Sequence, residues 1–377
     1  MREQRMSDQD VPQIVMQLPH VRVPVWTVKE APLAAFIRCC VEPLSPDRVG
    51  VVSDSNVFRH YGGALVRALT GAGYNVSTVV LEPGEKTKSL PIADEIYGCL
   101  SMAGFSRQSL LLALGGGVVG DLTGFVAGTY MRGMAYIQMP TSLLAQVDSA
   151  IGGKTGVNHP SAKNLIGLFY HPAAVWADIA WLRTLPAEEF ASAFAEVLKY
   201  ALVLNPELFR MIQEFDGLPL LREREDLLAD MVQHCVQAKI EVVQADEREA
   251  GYRRVLNFGH SFGHALEAAT TYGRFRHGEA VAWGMIMAQE LARTLGIVPD
   301  DWAAASQALV RRFLDLPRLA DLSAEDLCPF LRRDKKNTGG NCFFVFSPAP
   351  GKYRFEAAVD FERVQQVVRG FVDDTQP

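Results

Sequence analysis

The sequence predicts an α/β N-terminal domain built on a mostly parallel sheet, followed by a mainly α-helical C-terminal domain. Three observations carry that prediction. Short β-rich runs alternate with helical patterns through the first half, as in sheets covered by helices. From Pro186 onward, apolar residues recur at intervals of three and four, the spacing of a buried helix face. The chain is also longer, at 377 residues, than one hydrophobic core usually serves.

Residues 49–52, 76–81, 109–114 and 134–139 read as strands, each bounded by Gly, Pro, Asp or Ser. Helices are expected over 188–203, 227–243, 260–271 and 279–295. Residues 342–346 and 353–355, separated by a segment with two prolines and a glycine, read as a small hairpin set into the helical half. There is no internal repeat or low-complexity stretch, so the boundary falls near 184–187 and the domains are 1–185 and 186–377.

A formal net charge of −6, with cations and anions mixed along the chain, argues against nucleic acid or a membrane surface as the main partner. An anionic small molecule remains compatible. The six cysteines show no C-x-x-C spacing and sit in apolar surroundings, so they read as reduced thiols, which favours the cytoplasm. Residues 1–19 are polar and lack the apolar stretch of a signal peptide, and no later run is long enough to span a bilayer. Residues 1 to about 15 read as a poorly ordered lead-in.

Three constellations point to chemistry. Gly115, Gly116, Gly117, Val118, Val119, Gly120 and Asp121 follow an apolar strand and open a helix, the context in which bare backbone N–H groups cradle a phosphate. The plain alternative is a tight strand-to-helix turn with no ligand. No acidic residue ends the strand 134–139, where a ribose is usually gripped, so a dinucleotide here needs a variant contact such as Asp54 or Glu85.

The second constellation is His260 and His264, four apart on a predicted helix and therefore on one face. Helical histidines are often only hydrogen-bonded. Here, however, His277 follows at the start of another helix, and Glu196 lies in a mostly apolar helix where a carboxylate needs a reason to be buried. Histidine nitrogens plus one carboxylate, with an open position, make a catalytic zinc-type site.

The third is a set of cations and amides: Lys154, Lys163 with Asn164, Lys199, Lys239, Arg253 with Asn257, and Lys335 with Lys336. Each alone is a common surface residue. Together they suit a substrate bearing a carboxylate and a phosphate.

The run from Gly115 to Gly133, Pro140 to Ser149, Gly152 to Pro160 and Lys163 to Gly167 resembles the 3-dehydroquinate synthase family. So do Phe194 to Tyr200, Ala245 to Glu249, Leu256 to Glu267 and His277 to Val281. The resemblance extends over about residues 50–340. It implies a Rossmann-like NAD-binding α/β domain followed by a mainly helical domain, and usually a homodimer. It also implies the second step of the shikimate pathway: conversion of a sugar phosphate, 3-deoxy-D-arabino-heptulosonate 7-phosphate, into 3-dehydroquinate and phosphate, with NAD and one divalent metal, zinc or cobalt.

By that resemblance Glu196, His260 and His277 are the metal ligands, and His264 moves to proton transfer or substrate orientation. Lys154, Asn164, Lys239, Arg253, Asn257 and one of Lys335 or Lys336 would hold substrate, Asp148 and Lys199 would complete the polar wall, and Arg132 would reach across the dimer. Cofactor contacts would come from Asp54, Asn56, Gly84, Glu85, Lys86, Lys88, Gly116, Gly117, Val118, Gly120, Asp121, Thr141, Ser142, Lys154 and Lys163, with Leu182 and Thr184 on the nicotinamide side. Three departures stand out. Ala162 replaces a usual glycine, residues 21–38 lack the usual opening strand pair, and Trp181 occupies a position where a small polar residue is common.

Overall fold

The computed structural model describes residues 14–271, 273–319, 322–333 and 342–373. The elements run β1 (Ile14–Leu18), β2 (Val21–Val28), α1 (Leu33–Phe36), β3 (Val49–Asp54), α2 (Ser55–Val57), α3 (Gly63–Gly71), β4 (Val76–Leu81), α4 (Leu90–Met102), β5 (Leu110–Gly115), α5 (Gly117–Thr129), β6 (Ala135–Pro140), β7 (Lys154–His159), β8 (Ala162–Phe169) and β9 (Ala174–Asp178). They continue with α6 (Ala187–Val203), α7 (Pro206–Gln213), α8 (Leu218–Arg222), α9 (Glu225–Ala245), α10 (His260–Ala269), α11 (His277–Thr294), α12 (Asp300–Phe313), α13 (Ala324–Arg333), β10 (Cys342–Phe346), β11 (Arg354–Val359) and α14 (Phe361–Asp373). The chain divides into two compact units. One runs through Pro186 and includes Leu228–Arg248; the other comprises Ala187–Leu227 and the residues from Glu249 onward. The long helix α9 thus belongs with the α/β unit, although its sequence pattern is that of the helical half.

In the first unit seven strands order as β1-β2-β9-β6-β5-β3-β4, parallel except for the antiparallel β1–β2 pair at the edge. All residues of β5 and β9 are buried, as a sheet covered on both faces requires. Leu110, Leu112 and Leu114 pack on one face with Trp176, while Leu111 joins Val52 and Phe125 on the other. Each such side chain contributes about 1.5–3 kcal/mol by leaving water. The chain passes from β3 outward to β4 and then back to β5 on the other side of β3. That reversal opens a crevice at the carboxyl ends of β3 and β5, where open α/β sheets bind ligands.

Two expectations are corrected. An opening strand pair is present, β1 on β2, with Ile14 opposite Val25 and Leu18 opposite Val21, so residues 14 and 15 of the expected lead-in belong to a strand and the rest of it lies outside the described residues. Residues 154–169, where the sequence pattern leads to no strand, form a two-stranded ribbon, β7 on β8. Its glycines leave no apolar alternation to read, and it lies close against α5 because that helix has a glycine facing it, where a Cβ on Gly124 would stand 2.4 Å from Thr155 Cγ2.

The second unit is helical around α6, α10, α11 and α12, with β10 and β11 forming the expected hairpin. Backbone contact sets the approach of its central helices. A Cβ on Gly278 would lie 1.7 Å from Ser192 O of α6, and one on Gly284 would lie 1.9 Å from Gly259 O at the start of α10. Only glycine permits either approach. No described helix is long and apolar enough to cross a membrane.

Candidate active site

Those two glycine contacts bring three helices to one point. Glu196 is on α6, His260 is the first residue of α10, and His277 is the first residue of α11. Glu196 Oε1 faces His260 Nε2 at 3.6 Å and His277 Nε2 at 3.7 Å. Ligand atoms around a tetrahedral zinc are about 3.3 Å apart, given metal–ligand distances near 2.0–2.1 Å, so the set needs only side-chain adjustment to close on an ion. Glu196 Oε1 is buried and takes no hydrogen bond, an expensive state unless something cationic satisfies it. Glu196 Oε2 pairs with Lys199 Nζ one turn along the helix, and both side chains are almost wholly buried.

The outer contacts point both Nε2 atoms inward. His260 Nδ1 lies 3.1 Å from Phe258 O, and His277 Nδ1 lies 3.5 Å from Glu267 Oε2, so each Nδ1 has an oxygen partner and each Nε2 lone pair faces the carboxylate. Burial, then the charges of Lys199 and the neighbouring histidines, hold the His260 imidazole well below its ordinary value, which keeps it neutral and able to coordinate. At His277 burial pulls the same way, but the Glu267 hydrogen bond and the Glu196 charge outweigh it and raise the group.

His264 is exposed, its ring 5.4 Å from that of His260 and 6.3 Å from that of His277. It stands beside the three-residue cluster and outside it. Arg253 is buried, and Asn257 Nδ2 donates to Glu249 Oε1 at 3.0 Å. Lys335 and Lys336 lie outside the described residues. Glu249 and Glu267 were not singled out from the sequence. Glu267 carried a signal, since it lies seven residues after His260 and so on the same helix face. Glu249 carried none beyond its motif.

In the first unit Gly116 caps α5 with an extended backbone, and Gly117 opens the helix. A Cβ on Gly116 would meet Ser142 Oγ at 3.3 Å and one on Gly117 would meet Ser149 Oγ at 3.0 Å, so the turn is lined by hydroxyls and bare backbone. Gly120 serves packing instead, its Cα pressed toward the Gln138 amide. Val118 is half-buried on the first turn of α5, and Thr141 N donates to Gly115 O. Asp54 at the end of β3 caps α2, accepting from Asn56 N at 2.9 Å and Val57 N at 3.0 Å.

Buried Lys88 donates to Asp121 Oδ2 at 2.6 Å and Asn164 Oδ1 at 2.5 Å. Burial raises the Asp121 carboxyl even against that cation. Asn158, another residue not singled out, ties this group together by donating to Glu85 Oε1 and accepting from Asn164 N. Asn164 carries the positive φ of this turn, 52°, whereas Ala162 lies in β8 opposite His159, so the alanine is accommodated without strain. Gly84 has φ 110°, and Lys86, Lys154 and Lys163 are exposed. Lys239 of α9 donates to Asp148 Oδ1 at 2.5 Å.

A cavity of about 370 Å³ in this unit is lined by Tyr61, Leu114, Met139, Trp181 and Thr184 among others. Trp181 thus forms a wall, its ring 5.6 Å from that of Tyr61, while Leu182 is buried and Thr184 Oγ1 bonds Tyr61 OH. Arg132 is exposed at φ 67° after Met131 at φ 49°, two consecutive residues in the strained left-handed region.

Comparison with known proteins gives one consistent answer. The family model for the 3-dehydroquinate synthase N-terminal region matches residues 78–192, and that for the C-terminal region matches residues 193–337. A 3-dehydroquinate synthase of Acidithiobacillus ferrooxidans is 45% identical over 331 residues, 88% of this chain and 90% of its own length. One from Synechocystis sp. is 42% identical over 320 residues, 84% of this chain and 89% of its own. Among solved structures, 2-epi-5-epi-valiolone synthase from Streptomyces hygroscopicus subsp. jinggangensis, with NAD+ and Zn2+ bound, is similar at TM-score 0.82 and 27% identity, over 93% of this chain and 97% of that one. A 2-deoxy-scyllo-inosose synthase with carbaglucose-6-phosphate, NAD+ and Co2+ has the same fold at TM-score 0.84 and 24% identity, over 95% of this chain and 99% of its own.

Proposed function

Since the chain belongs to the 3-dehydroquinate synthase family, we propose that it converts 3-deoxy-D-arabino-heptulosonate 7-phosphate into 3-dehydroquinate and orthophosphate, using NAD and one divalent cation. The observation that carries the cation is the buried Glu196 Oε1, without a hydrogen bond and faced by two imidazole Nε2 atoms. When bound, the cation supplies Lewis acidity to a substrate hydroxyl, and NAD supplies a hydride acceptor that is regenerated within the cycle.

The chain's own residues do the rest. Glu196, His260 and His277 hold the cation, Glu267 and Phe258 O fix the two tautomers, and Lys199 balances the Glu196 charge inside the fold. Lys154, Asn164, Lys239, Arg253 and Asn257 bind carboxylate, phosphate and hydroxyls, with Asp148 orienting Lys239. His264, exposed beside the cation ligands, receives and returns a proton at an imidazole nitrogen. Gly116 and Gly117 would hold the NAD pyrophosphate on their backbone N–H groups, with Lys88 and Asp121 keeping the adjoining wall in place. The exposed Arg132 suits a role across a homodimer, and six cysteines with no disulfide among them support a cytoplasmic setting.

Purified protein with a divalent cation and a catalytic amount of NAD is expected to release phosphate continuously from the heptulosonate phosphate without accumulating NADH. Stoichiometric NADH would instead indicate a dehydrogenase, and turnover of a different sugar phosphate would indicate another cyclase. His264→Ala is expected to keep its cation while kcat falls about 10²–10⁴-fold. Metal analysis and steady-state kinetics on the same preparation check both, and loss of the cation would move His264 among the ligands.

A further inference from the structure

Beyond the proposed active centre, the described residues hold one other set of three side chains able to share a metal: His20, His171 and Glu247. We propose that this set is a second divalent-cation site, of zinc-type chemistry, that clasps three segments of the first unit together. Glu247 Oε1 receives both imidazoles, His171 Nε2 at 3.0 Å and His20 Nε2 at 3.4 Å. Those separations match the edge of a tetrahedral zinc site, about 3.3 Å, more closely than the distances at Glu196 do. Two nitrogens and one carboxylate oxygen select zinc, cobalt or nickel over magnesium or calcium, which prefer all-oxygen shells.

The placement is scaffolded. His20 is in the two-residue turn joining β1 to β2, and Gln17 N of β1 donates to Gln244 Oε1 near the end of α9, holding that turn against the segment that carries Glu247. His171 follows β8, and its side chain is only 4% exposed. A hydrogen bond between His171 and Glu247 would suffice to settle that buried pair. It gives no reason for a second imidazole, from a turn whose side chain is 58% exposed and free to face water, to approach the same oxygen.

Occupancy would reach the substrate-binding residues. The His171 ring packs against Gly153, where a Cβ would stand 2.7 Å from Nδ1, and Tyr170 N donates to Gly153 O at 2.7 Å. Gly153 immediately precedes Lys154, and α9, which leads to Glu247, carries Lys239. A cation at this point steadies the backbone on both sides of that pair of lysines.

The site is independent of the catalytic reading, and one experiment separates the two. Zinc bound after equilibrium dialysis is measured on the full-length wild type, His20→Ala, His277→Ala and the double variant. The expected content is two equivalents, one, one and none, with Zn2+ raising the thermal midpoint of His277→Ala but not of the double variant. His20 is exposed, so its substitution does not threaten folding. Equal zinc in the wild type and His20→Ala overturns the second site whatever His277→Ala does. Loss on His20→Ala alone leaves the second site standing and counts against His277 as a ligand.

Discussion

Glu196→Ala abolishes retention of the active-centre cation and turnover together, with kcat/KM falling about a thousandfold or more, since Lewis-acid stabilisation is worth several kcal/mol and each decade costs about 1.4 kcal/mol. Two effects coincide in that variant. The coordinating oxygen at 3.6 and 3.7 Å from the two imidazoles is gone, and Lys199, only 1% exposed, is left without its counter-charge. His277→Ala separates them. His277 is 36% exposed and bonds the buried Glu267 through Nδ1, so its removal should cost the cation and the rate with a smaller loss of folding stability than Glu196→Ala. Dialysed protein assayed for metal, activity and urea midpoint gives all three readouts. Full metal content with lost activity would show that Glu196 acts on substrate and not on a cation.

Lys88→Met destabilises the first unit by about 3 kcal/mol, toward the lower end for breaking a buried ion pair because Asp121 keeps some exposure. The lysine holds Asp121 and Asn164 at once, and Asn164 in turn is tied to Asn158. Its loss strands a carboxyl that burial already raises, and it loosens the turn beside Lys154 and Lys163. A drop in the denaturation midpoint accompanied by weaker NAD binding is expected. By contrast, Arg210→Ala removes an exposed pair with Glu207 and should cost less than about 1 kcal/mol. Similar losses from both variants would contradict the role given to Lys88.

The parts of the molecule that announced themselves in sequence are those whose local pattern agrees with their surroundings. The strands β3, β5 and β6 are apolar runs ended by Asp, Gly or Pro, β4 runs up to the Pro83-Gly84 turn, and the apolar residues of α6 and α10 recur at helical spacing. The β1–β2 pair was hidden because it alternates weakly and contains Pro24 within the strand. The β7–β8 ribbon was hidden because Gly156 and Gly167 face each other, their contact set by backbone proximity and not by apolar side chains. Spacing alone paired His260 with His264. The family resemblance supplied His277 and Glu196, whose meeting with His260 is a matter of long-range geometry, and the same distance along the chain concealed the meeting of His20, His171 and Glu247.

The glycine contacts at Gly278 and Gly284 also bear on how the centre moves. Where helices touch through side chains, thermal motion is absorbed by rotamer changes, and the axes can slide by fractions of an ångström. Here α6, α10 and α11 meet through main-chain atoms, with no compressible layer between them. The three helices therefore fluctuate as one piece, and the play left to the ligands lies in a few χ angles, most of all those of the half-exposed His277. Accommodation of cations of different radius is thus concentrated in a single imidazole at the rim, while the carboxylate and the other ring keep a fixed frame.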